Sequence, residues 1–155
     1  MKDKFALLYL ENQLCFPLYA ASRLTTKIYT PYLDKMGITY PQYLVLMVLW
    51  QYDEQSVNTI GKRLYLESNT LTPLLKRLEQ KELIQRNRSK KDERTVLISL
   101  TKKGKNLKEE ALSIPESIIE SFQGETVTQE EIETFQNTLS KLVDLLNKKT
   151  GGKIE

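Results

Sequence analysis

The chain contains one cysteine, Cys15, within the stretch "ENQLCFPLYAAS" at residues 11–22. Tyr19 follows four residues later, about one turn along a helix. A cysteine sulfur reacts as the thiolate, and a neighbouring phenol can donate a hydrogen bond to that anion without carrying charge. The alternative is a small buried hydrophobic residue, which is commoner for lone cysteines. Cys15 is therefore a candidate redox site.

Composition argues against several other kinds of site. The chain contains no histidine, which removes the usual general base and the catalytic triads built on it. One cysteine cannot form an internal disulfide, and without histidine it cannot build a common zinc site. We therefore expect no metal, no cofactor and no enzymatic activity. The longest apolar run, Tyr43–Trp50, is too short to cross a bilayer and no signal peptide is visible, so we expect a cytoplasmic protein without membrane contact.

Positive charge is concentrated in the middle of the chain. The net charge is only +3, yet residues 61–108 contain fourteen lysines and arginines against five acidic residues. The segments on either side are neutral or acidic, so the asymmetry indicates one surface that binds a polyanion. The alternative of ordinary solvated helix faces fits a scattered excess of charge better than this concentration.

Two helices joined by a short turn would carry the first part of this charge. Ser56 can cap a short helix, and a second helix is predicted from near Ser68 to Lys81. At about 100° per residue, leucines fill one face of the second helix and polar residues the other. This division predicts a helix-turn-helix. The residues expected to contact DNA are Ser68, Asn69, Thr70, Thr72, Lys76 and Arg77.

A basic hairpin is predicted directly after this helix. "LIQRNR" and "TVLISL" have the composition of two strands, and the second alternates as a half-buried strand does. Asp92 can be a turn residue or can orient Arg94 by a salt bridge. A helix-turn-helix followed by such a hairpin is a winged helix. The basic residues of this wing are Arg86, Arg88, Lys90, Lys91 and Arg94, of which the two lysines are expected to bind phosphate without reading sequence.

The remaining helices carry apolar faces that a winged helix cannot cover. The first helix begins near Cys15 or continues through Pro17 with a kink, and it is expected to run towards Tyr29 and to be ended by the stretch "YTPYLDKMG" with its Pro31 and Gly37. A helix capped by Thr101 is bent or broken near Pro115, and Thr128 starts the last helix. We expect these faces to pack in a homodimer. The fold is then mostly α with a small β-hairpin wing and six helices, in one domain over residues 1–155. That domain comprises a DNA-binding lobe at about 37–100, dimerisation helices at about 8–36 and 101–147, and a disordered tail at 148–155.

Several stretches resemble one known family. "LTPLLKRLEQKELIQRNRSKKDERTVLISLTKKG" resembles the recognition helix, wing and following helix of the MarR family of winged-helix regulators. Its "KKDERTVLISLT" part is the most specific signature. Together with "ENQLCFPLYAAS", "ITYPQYLVL" and "ESNTLTPLLKR", the chain is similar to the branch that responds to organic hydroperoxides. The resemblance covers roughly residues 8–147.

The resemblance implies roles for particular residues. Members of the family are symmetric dimers whose recognition helix enters the major groove, while the wing arginine that matches Arg94 reaches into the minor groove. It also implies that Cys15 is a peroxide sensor, held by Tyr29 and Tyr40 from the partner subunit, with Tyr19 nearby. The chain departs from the family at Pro17, where relatives usually carry an apolar residue that favours helix. It departs again at Asn69, where close relatives often have glycine.

The expected function is a repressor that binds an inverted repeat on double-stranded DNA and releases it when an organic hydroperoxide oxidises Cys15. Since there is no second cysteine, the sulfenic acid must end as a mixed disulfide with a low-molecular-weight thiol, a cyclic amide with backbone nitrogen, or a higher acid. The alternatives are a regulator released by a phenolic ligand with Cys15 uninvolved, a thiol-dependent peroxidase, or a protein-binding adaptor.

Overall fold

The computed structural model describes residues 3–89, 92, 94–122 and 128–151. The chain divides into two compact units, Met1–Tyr40 and Pro41–Glu155. Among the described residues, every helix is too short or too polar to span a membrane.

The first unit is mainly one long helix. Two short 3₁₀ turns, Ala6–Leu8 and Leu10–Asn12, precede helix α1, Cys15–Lys35. The start at Cys15 decides between the two predicted starts, because it places Pro17 in the first turn, where a missing N–H costs no intrahelical hydrogen bond.

Helix α1 ends at Lys35, within the predicted terminating stretch, but of its two predicted breakers Pro31 lies inside the helix and does not end it. Pro31 removes one hydrogen bond of the helix, and the turns on both sides keep theirs. The helix stops instead before Gly37, whose φ of +66° lies in the left-handed region that glycine adopts without steric cost.

The second unit contains the predicted helix-turn-helix and hairpin, both of which are confirmed. The helix expected after Thr101 is broken just before Pro115 into two pieces, so the six predicted helices are present with the fifth divided. In chain order the elements are α2 Tyr40–Gln51, β1 Gln55–Ser56, α3 Val57–Leu64, α4 Ser68–Gln80, β2 Ile84–Arg88, β3 Val96–Leu100, α5 Lys102–Ala111, α6 Ile114–Glu120 and α7 Gln129–Lys149.

Local capping interactions fix where several of these helices begin. The Ser56 hydroxyl accepts the backbone N–H of Thr59 at 3.0 Å, as predicted for the start of α3. Thr101 caps α5 by accepting the N–H of Gly104 at 3.0 Å. Thr128 starts α7, as predicted, and forms a capping box with Glu131.

The sheet has three antiparallel strands in the order β1-β3-β2. Strands β2 and β3 pair so that Ile84 lies opposite Leu100 and Arg86 opposite Ile98. Strand β1 is absent from the sequence-based prediction because its two residues are too few to show an alternating pattern.

The core of the second unit lies between α3, α4 and the sheet. Leu71, Leu75 and Leu78 of α4 are fully buried with Ile60 and Ile98, which confirms the predicted leucine face. Burying a side chain of this size stabilises the fold by about 1.5–3 kcal/mol. The core therefore fixes which face of α4 remains outside.

Helix α5 is joined to the winged helix by polar contacts. The Trp50 indole N–H donates to the carbonyl of Gly104 at 2.9 Å. Asp53 accepts the N–H of Leu100 at 3.0 Å and forms a 2.7 Å ion pair with Lys105. The hydrogen bonds from Lys105 and the Leu100 backbone hold the pKa of Asp53 below its usual range.

Helix α7 has no fully buried residue, although apolar side chains recur along it. It continues to Lys149, two residues beyond the predicted end of the helical segment, whereas the last part of the predicted tail, residues 152–155, lies outside the described residues. The half-exposed or exposed apolar side chains of α7 are Ile132, Phe135, Leu139, Leu142, Val143, Leu145 and Leu146.

Candidate DNA-binding surface and cysteine site

Helix α4 presents one polar face. Every residue that the sequence predicts to contact DNA from this helix is exposed, namely Ser68, Asn69, Thr70, Thr72, Lys76 and Arg77. The leucine core holds the opposite face. The side chains near the N-terminal end are short hydrogen-bonding groups, and the two cations follow one to two turns later, so the face combines groups that can read base edges with charges that can bind phosphate.

The first turn of α4 is ordered by its own side chains. The Thr72 hydroxyl donates to the carbonyl of Ser68 at 2.6 Å, and the Asn69 amide donates to Glu67 at 3.3 Å. The Thr70 hydroxyl donates to the Asn69 side-chain oxygen at 3.2 Å. Glu67, at the N-cap position, makes no side-chain cap. These contacts hold the polar side chains in defined positions on the outer face of the helix.

The described part of the wing tip is shaped by Asp92. Its carboxylate accepts the backbone N–H of Arg94 at 3.0 Å and the hydroxyl of Thr95 at 2.9 Å. The side chains of Asp92 and Arg94 do not form the predicted salt bridge, so Asp92 acts on Arg94 through the backbone, as a turn residue does. Arg88 and Arg94 are exposed, and Lys90 and Lys91 lie outside the described residues.

Arg86 is placed differently from the other wing arginines. Its side chain is 30% exposed, and its guanidinium lies 3.8 Å from the carboxylate of Glu79 in the last turn of α4. This pairing could not be predicted from the sequence, since the two residues lie on different predicted elements.

Cys15 is exposed and is the first residue of α1. Tyr19, also exposed, follows one turn along, and the Arg23 guanidinium lies 5.7 Å from the centre of its ring. Sequence reasoning missed Arg23, although the spacing of four residues from Tyr19 on one helix was a usable signal. A helix N-terminus favours negative charge, so Cys15 lies at an end of α1 that suits an anion.

Tyr29 and Tyr40 form a ring pair within the first unit. Their ring centroids are 4.8 Å apart at an interplanar angle of 58°, and both side chains are partly buried. Burial raises the pKa of Tyr29, and burial followed by the neighbouring charge of Tyr29 raises the pKa of Tyr40. Both phenols therefore keep the O–H proton that a hydrogen-bond donor to a thiolate needs.

The structure does not bring this tyrosine pair to the cysteine of the same chain. Cys15 and Tyr29 both belong to α1 and are separated by fourteen residues. At 1.5 Å per residue that separation is about 21 Å along the axis, far beyond the reach of a phenol. Of the three predicted tyrosines, only Tyr19 is one turn from Cys15 within a single chain.

A separate open groove lies on the second unit. It has a volume of about 400 Å³ and mostly apolar walls. The Lys108 ammonium at this groove donates to the carbonyl of Trp50 at 3.2 Å. Elsewhere, no cluster of acidic or cysteine side chains among the described residues has the arrangement of a metal site.

Comparisons with known proteins agree with this architecture. Residues 27–111 match the family model described as transcriptional regulator SarA/Rot. The organic hydroperoxide resistance transcriptional regulator of Bacillus subtilis (strain 168) is 50% identical over 149 residues, which cover 96% of this chain and 99% of that protein. Reduced AbfR bound to DNA superimposes with a TM-score of 0.72 at 40% identity, covering 93% of this chain and 99% of that one. The disulfide-formed AbfR gives a TM-score of 0.62 at 40% identity over 93% of this chain and 97% of its own.

An exposed basic helix beside a basic wing, on a core shared with these relatives, defines a winged-helix transcriptional regulator. The chain belongs to the MarR family, in the branch of the organic hydroperoxide resistance regulators known as OhrR.

Proposed function

We propose that this protein is a DNA-binding repressor that senses organic hydroperoxides through Cys15. As a homodimer it binds an inverted repeat on double-stranded DNA, and oxidation of Cys15 releases the DNA. The single observation that carries the proposal is the similarity, over nearly the full chain, to a regulator of organic hydroperoxide resistance.

The exposed face of α4 is suited to the major groove. An α-helix fits that groove, where hydroxyl and amide side chains can bond to base edges. Asn69, Thr70 and Thr72 lie near the N-terminal end of α4, while Lys76 and Arg77 supply charge for the phosphates. Arg94 at the wing, positioned by Asp92 through the backbone, is then suited to the neighbouring minor groove.

Two features support a homodimer as the working form. The apolar side chains along α7 are left half-exposed or exposed by the single chain, which suits burial against a second copy. In addition, Tyr29 lies about 21 Å along α1 from the Cys15 of its own chain. If Tyr29 and Tyr40 hold the reactive sulfur, they must come from the partner subunit.

The sensing step is a two-electron oxidation of sulfur. The Cys15 thiolate attacks the terminal oxygen of the hydroperoxide, which breaks the O–O bond and transfers the hydroxyl group to sulfur as a sulfenic acid. The alkoxide leaves and takes a proton to become an alcohol. Neutral phenols donating to the sulfur stabilise the anion before attack, a role that Tyr29 and Tyr40 can fill because burial raises the pKa of each.

The sulfenic acid then condenses with a low-molecular-weight thiol, releasing water and leaving a mixed disulfide on Cys15. Overoxidised AbfR is a DNA-bound form, so we expect the disulfide rather than a sulfonic acid to cause release here. The bulk of the disulfide at the subunit interface would change the spacing of the two α4 helices, which must match one DNA turn of about 34 Å.

A gel shift tests this proposal. Wild type and Cys15→Ser are mixed with an inverted repeat selected from a randomised duplex pool, with and without cumene hydroperoxide and a small thiol. We expect release of wild type only when both reagents are present, and an intact mass that shows one thiol adduct per chain. Release of Cys15→Ser by the same treatment would overturn the sensing role. Failure of either protein to select any duplex would overturn DNA binding.

The groove on the second unit favours one second candidate, a regulator released by a phenolic ligand. Aromatic and aliphatic walls beside one cation suit a small phenol better than a peroxide. Release of the Cys15→Ser protein by simple phenols would support this candidate. The residues lining the groove are Tyr43, Met47, Trp50, Gln51, Lys108, Ala111, Leu112 and Pro115.

A further inference from the structure

Arg86 lies on the inner face of the wing. Residues directly opposite in an antiparallel pair point to the same side of the sheet, and Arg86 is opposite the fully buried Ile98. Along β2 the same face carries buried Ile84, half-buried Arg86 and exposed Arg88. The stem of Arg86 therefore covers the core edge, while Arg88 reaches solvent.

The guanidinium of Arg86 lies beside α4. It lies 3.8 Å from the Glu79 carboxylate, and the Arg86 Nε atom is buried without a hydrogen-bond partner among the described residues. Glu79 is in the last turn of α4, where the helix dipole disfavours negative charge, so a cation at that place compensates both the carboxylate and the helix end.

This pairing connects the two elements that the proposed function places on DNA. Besides the leucine core that α4 shares with the sheet, an ion pair connects the recognition helix to the wing at its C-terminal end, the end farther from the short polar side chains of its first turn. We infer, on the basis of that proposed function, that Arg86 is a positioning residue. Through Glu79 it refines the orientation that the core gives to α4 relative to the wing and so contributes to sequence discrimination, while Arg88 binds phosphate and Arg94 the minor groove.

A positioning residue and a phosphate ligand respond differently to salt and to sequence. Loss of a phosphate contact weakens binding to all duplexes alike and lowers the slope of log affinity against log salt by about one per contact. A change in helix orientation weakens binding to the selected sequence. It leaves the number of phosphate contacts unchanged, and so it leaves the slope of log affinity against log salt unchanged. The charge-neutral double variant Arg86→Gln with Glu79→Gln keeps the net charge and so removes the long-range effect of an altered charge.

The experiment measures fluorescence anisotropy of two labelled duplexes, the selected inverted repeat and an unrelated duplex of equal length, from about 50 to 200 mM KCl. The full-length variants are Arg86→Gln, Glu79→Gln, the double variant and, as the matched phosphate control, Arg88→Gln. We expect the first three to weaken binding to the selected repeat about tenfold, the scale of one lost base-pair discrimination, with less than twofold change on the unrelated duplex. The double variant should resemble the single ones, and all three should keep the wild-type slope.

Arg88→Gln should weaken both duplexes equally and lower the slope by about one per subunit. A lower slope for Arg86→Gln, together with tighter binding of both duplexes by Glu79→Gln, would overturn the positioning role and make Arg86 a phosphate ligand. If Arg86→Gln does not fold, Glu79→Gln decides alone, because the two roles predict opposite directions for it. Wild type that binds neither duplex would overturn the proposed function and this role with it.

Discussion

The DNA-binding surface and the cysteine site are built in opposite ways. The polar face of α4 is oriented by a core that lies within one chain, and fully buried leucines hold it there. The cysteine is exposed at the start of α1, and Tyr29, one member of the tyrosine pair of the same chain, lies about 21 Å away along that helix. One chain therefore suffices to form the DNA-reading element, whereas the sensor that we propose requires two. In that proposal, a signal that alters the contact between copies changes DNA binding without unfolding either winged helix.

The largest expected effect is on the self-contained region. Leu75→Ala removes a fully buried side chain from the core behind α4 and should lower the free energy of unfolding by about 2–5 kcal/mol. Urea unfolding followed by circular dichroism measures it. Lys76→Ala, on the exposed face of the same helix, is the matched control and should change stability by less than about 0.5 kcal/mol. Equal effects of the two variants would contradict the assignment of the buried face.

Gly104→Ala tests the packing of α5 against the winged helix. An added Cβ would collide with the carbonyl oxygen of Leu83, so one backbone segment must shift. We expect a loss of about 1–3 kcal/mol in unfolding free energy, as for other overpacked sites. Asn106→Ala, an exposed position of the same helix, is the control. An unchanged unfolding midpoint for Gly104→Ala would show that the close approach does not exist.

Loss of the phenols should affect the sensor and spare DNA binding. Tyr29→Phe and Tyr40→Phe each remove one hydroxyl and keep the ring pair, so we expect the rate of Cys15 oxidation by cumene hydroperoxide to fall about tenfold, the equivalent of one hydrogen bond to a charged group. Quenched-flow sampling followed by mass spectrometry measures the rate of Cys15 oxidation. Affinity of the reduced protein for DNA should stay the same. Tyr32→Phe, on the same helix, should react like wild type, and a slow Tyr32→Phe would argue against a specific tyrosine pair.

The smallest effect concerns pH. The ion pair and hydrogen bonds of Asp53 hold its pKa below the usual range, so the stability it contributes is present above the ordinary carboxyl pKa and is lost as pH falls through the lowered one. Asp53→Asn should therefore cost less than about 1 kcal/mol at pH 7, since the pair is partly exposed, and nothing in strong acid. Denaturant midpoints of Asp53→Asn and wild type, at pH 7 and in strong acid, measure this cost, with Glu54→Gln as the control. A loss of stability in Asp53→Asn that is as large in acid as at pH 7 would contradict the assignment of this stability to the charged Asp53 carboxylate.

Much of the fold and of the DNA-binding surface could be predicted from the sequence, because its signals are local. The leucine period of α4 and the caps at Ser56 and Thr128 depend on residues within one or two turns. The two-residue strand β1 and the Arg86–Glu79 pair depend on contacts between separate elements. The pattern of residues within one element does not predict such contacts. The continuation of α1 through Pro31 shows that one unfavourable residue need not end a helix.

The cysteine site was predictable only by resemblance. Spacing alone connects Cys15 with Tyr19 and Arg23, which are successive residues on one stripe of α1. Nothing in the spacing connects Cys15 with Tyr29 and Tyr40, since that contact would be made between two chains. The roles of the three tyrosines, and of the wing residues Lys90 and Lys91 that lie outside the described part of the chain, therefore stay predictions.

The most direct test of a sensor shared between copies uses a mixed dimer. One chain carries Cys15→Ser, and the other carries Tyr29→Phe and Tyr40→Phe, so the only cysteine belongs to the chain without the two phenols. If the partner supplies the tyrosines, that cysteine reacts with cumene hydroperoxide at the wild-type rate, about a hundredfold faster than in the Tyr29→Phe, Tyr40→Phe homodimer if the two tenfold losses add. A mixed dimer that reacts as slowly as this homodimer would contradict a sensor in which the partner subunit supplies Tyr29 and Tyr40.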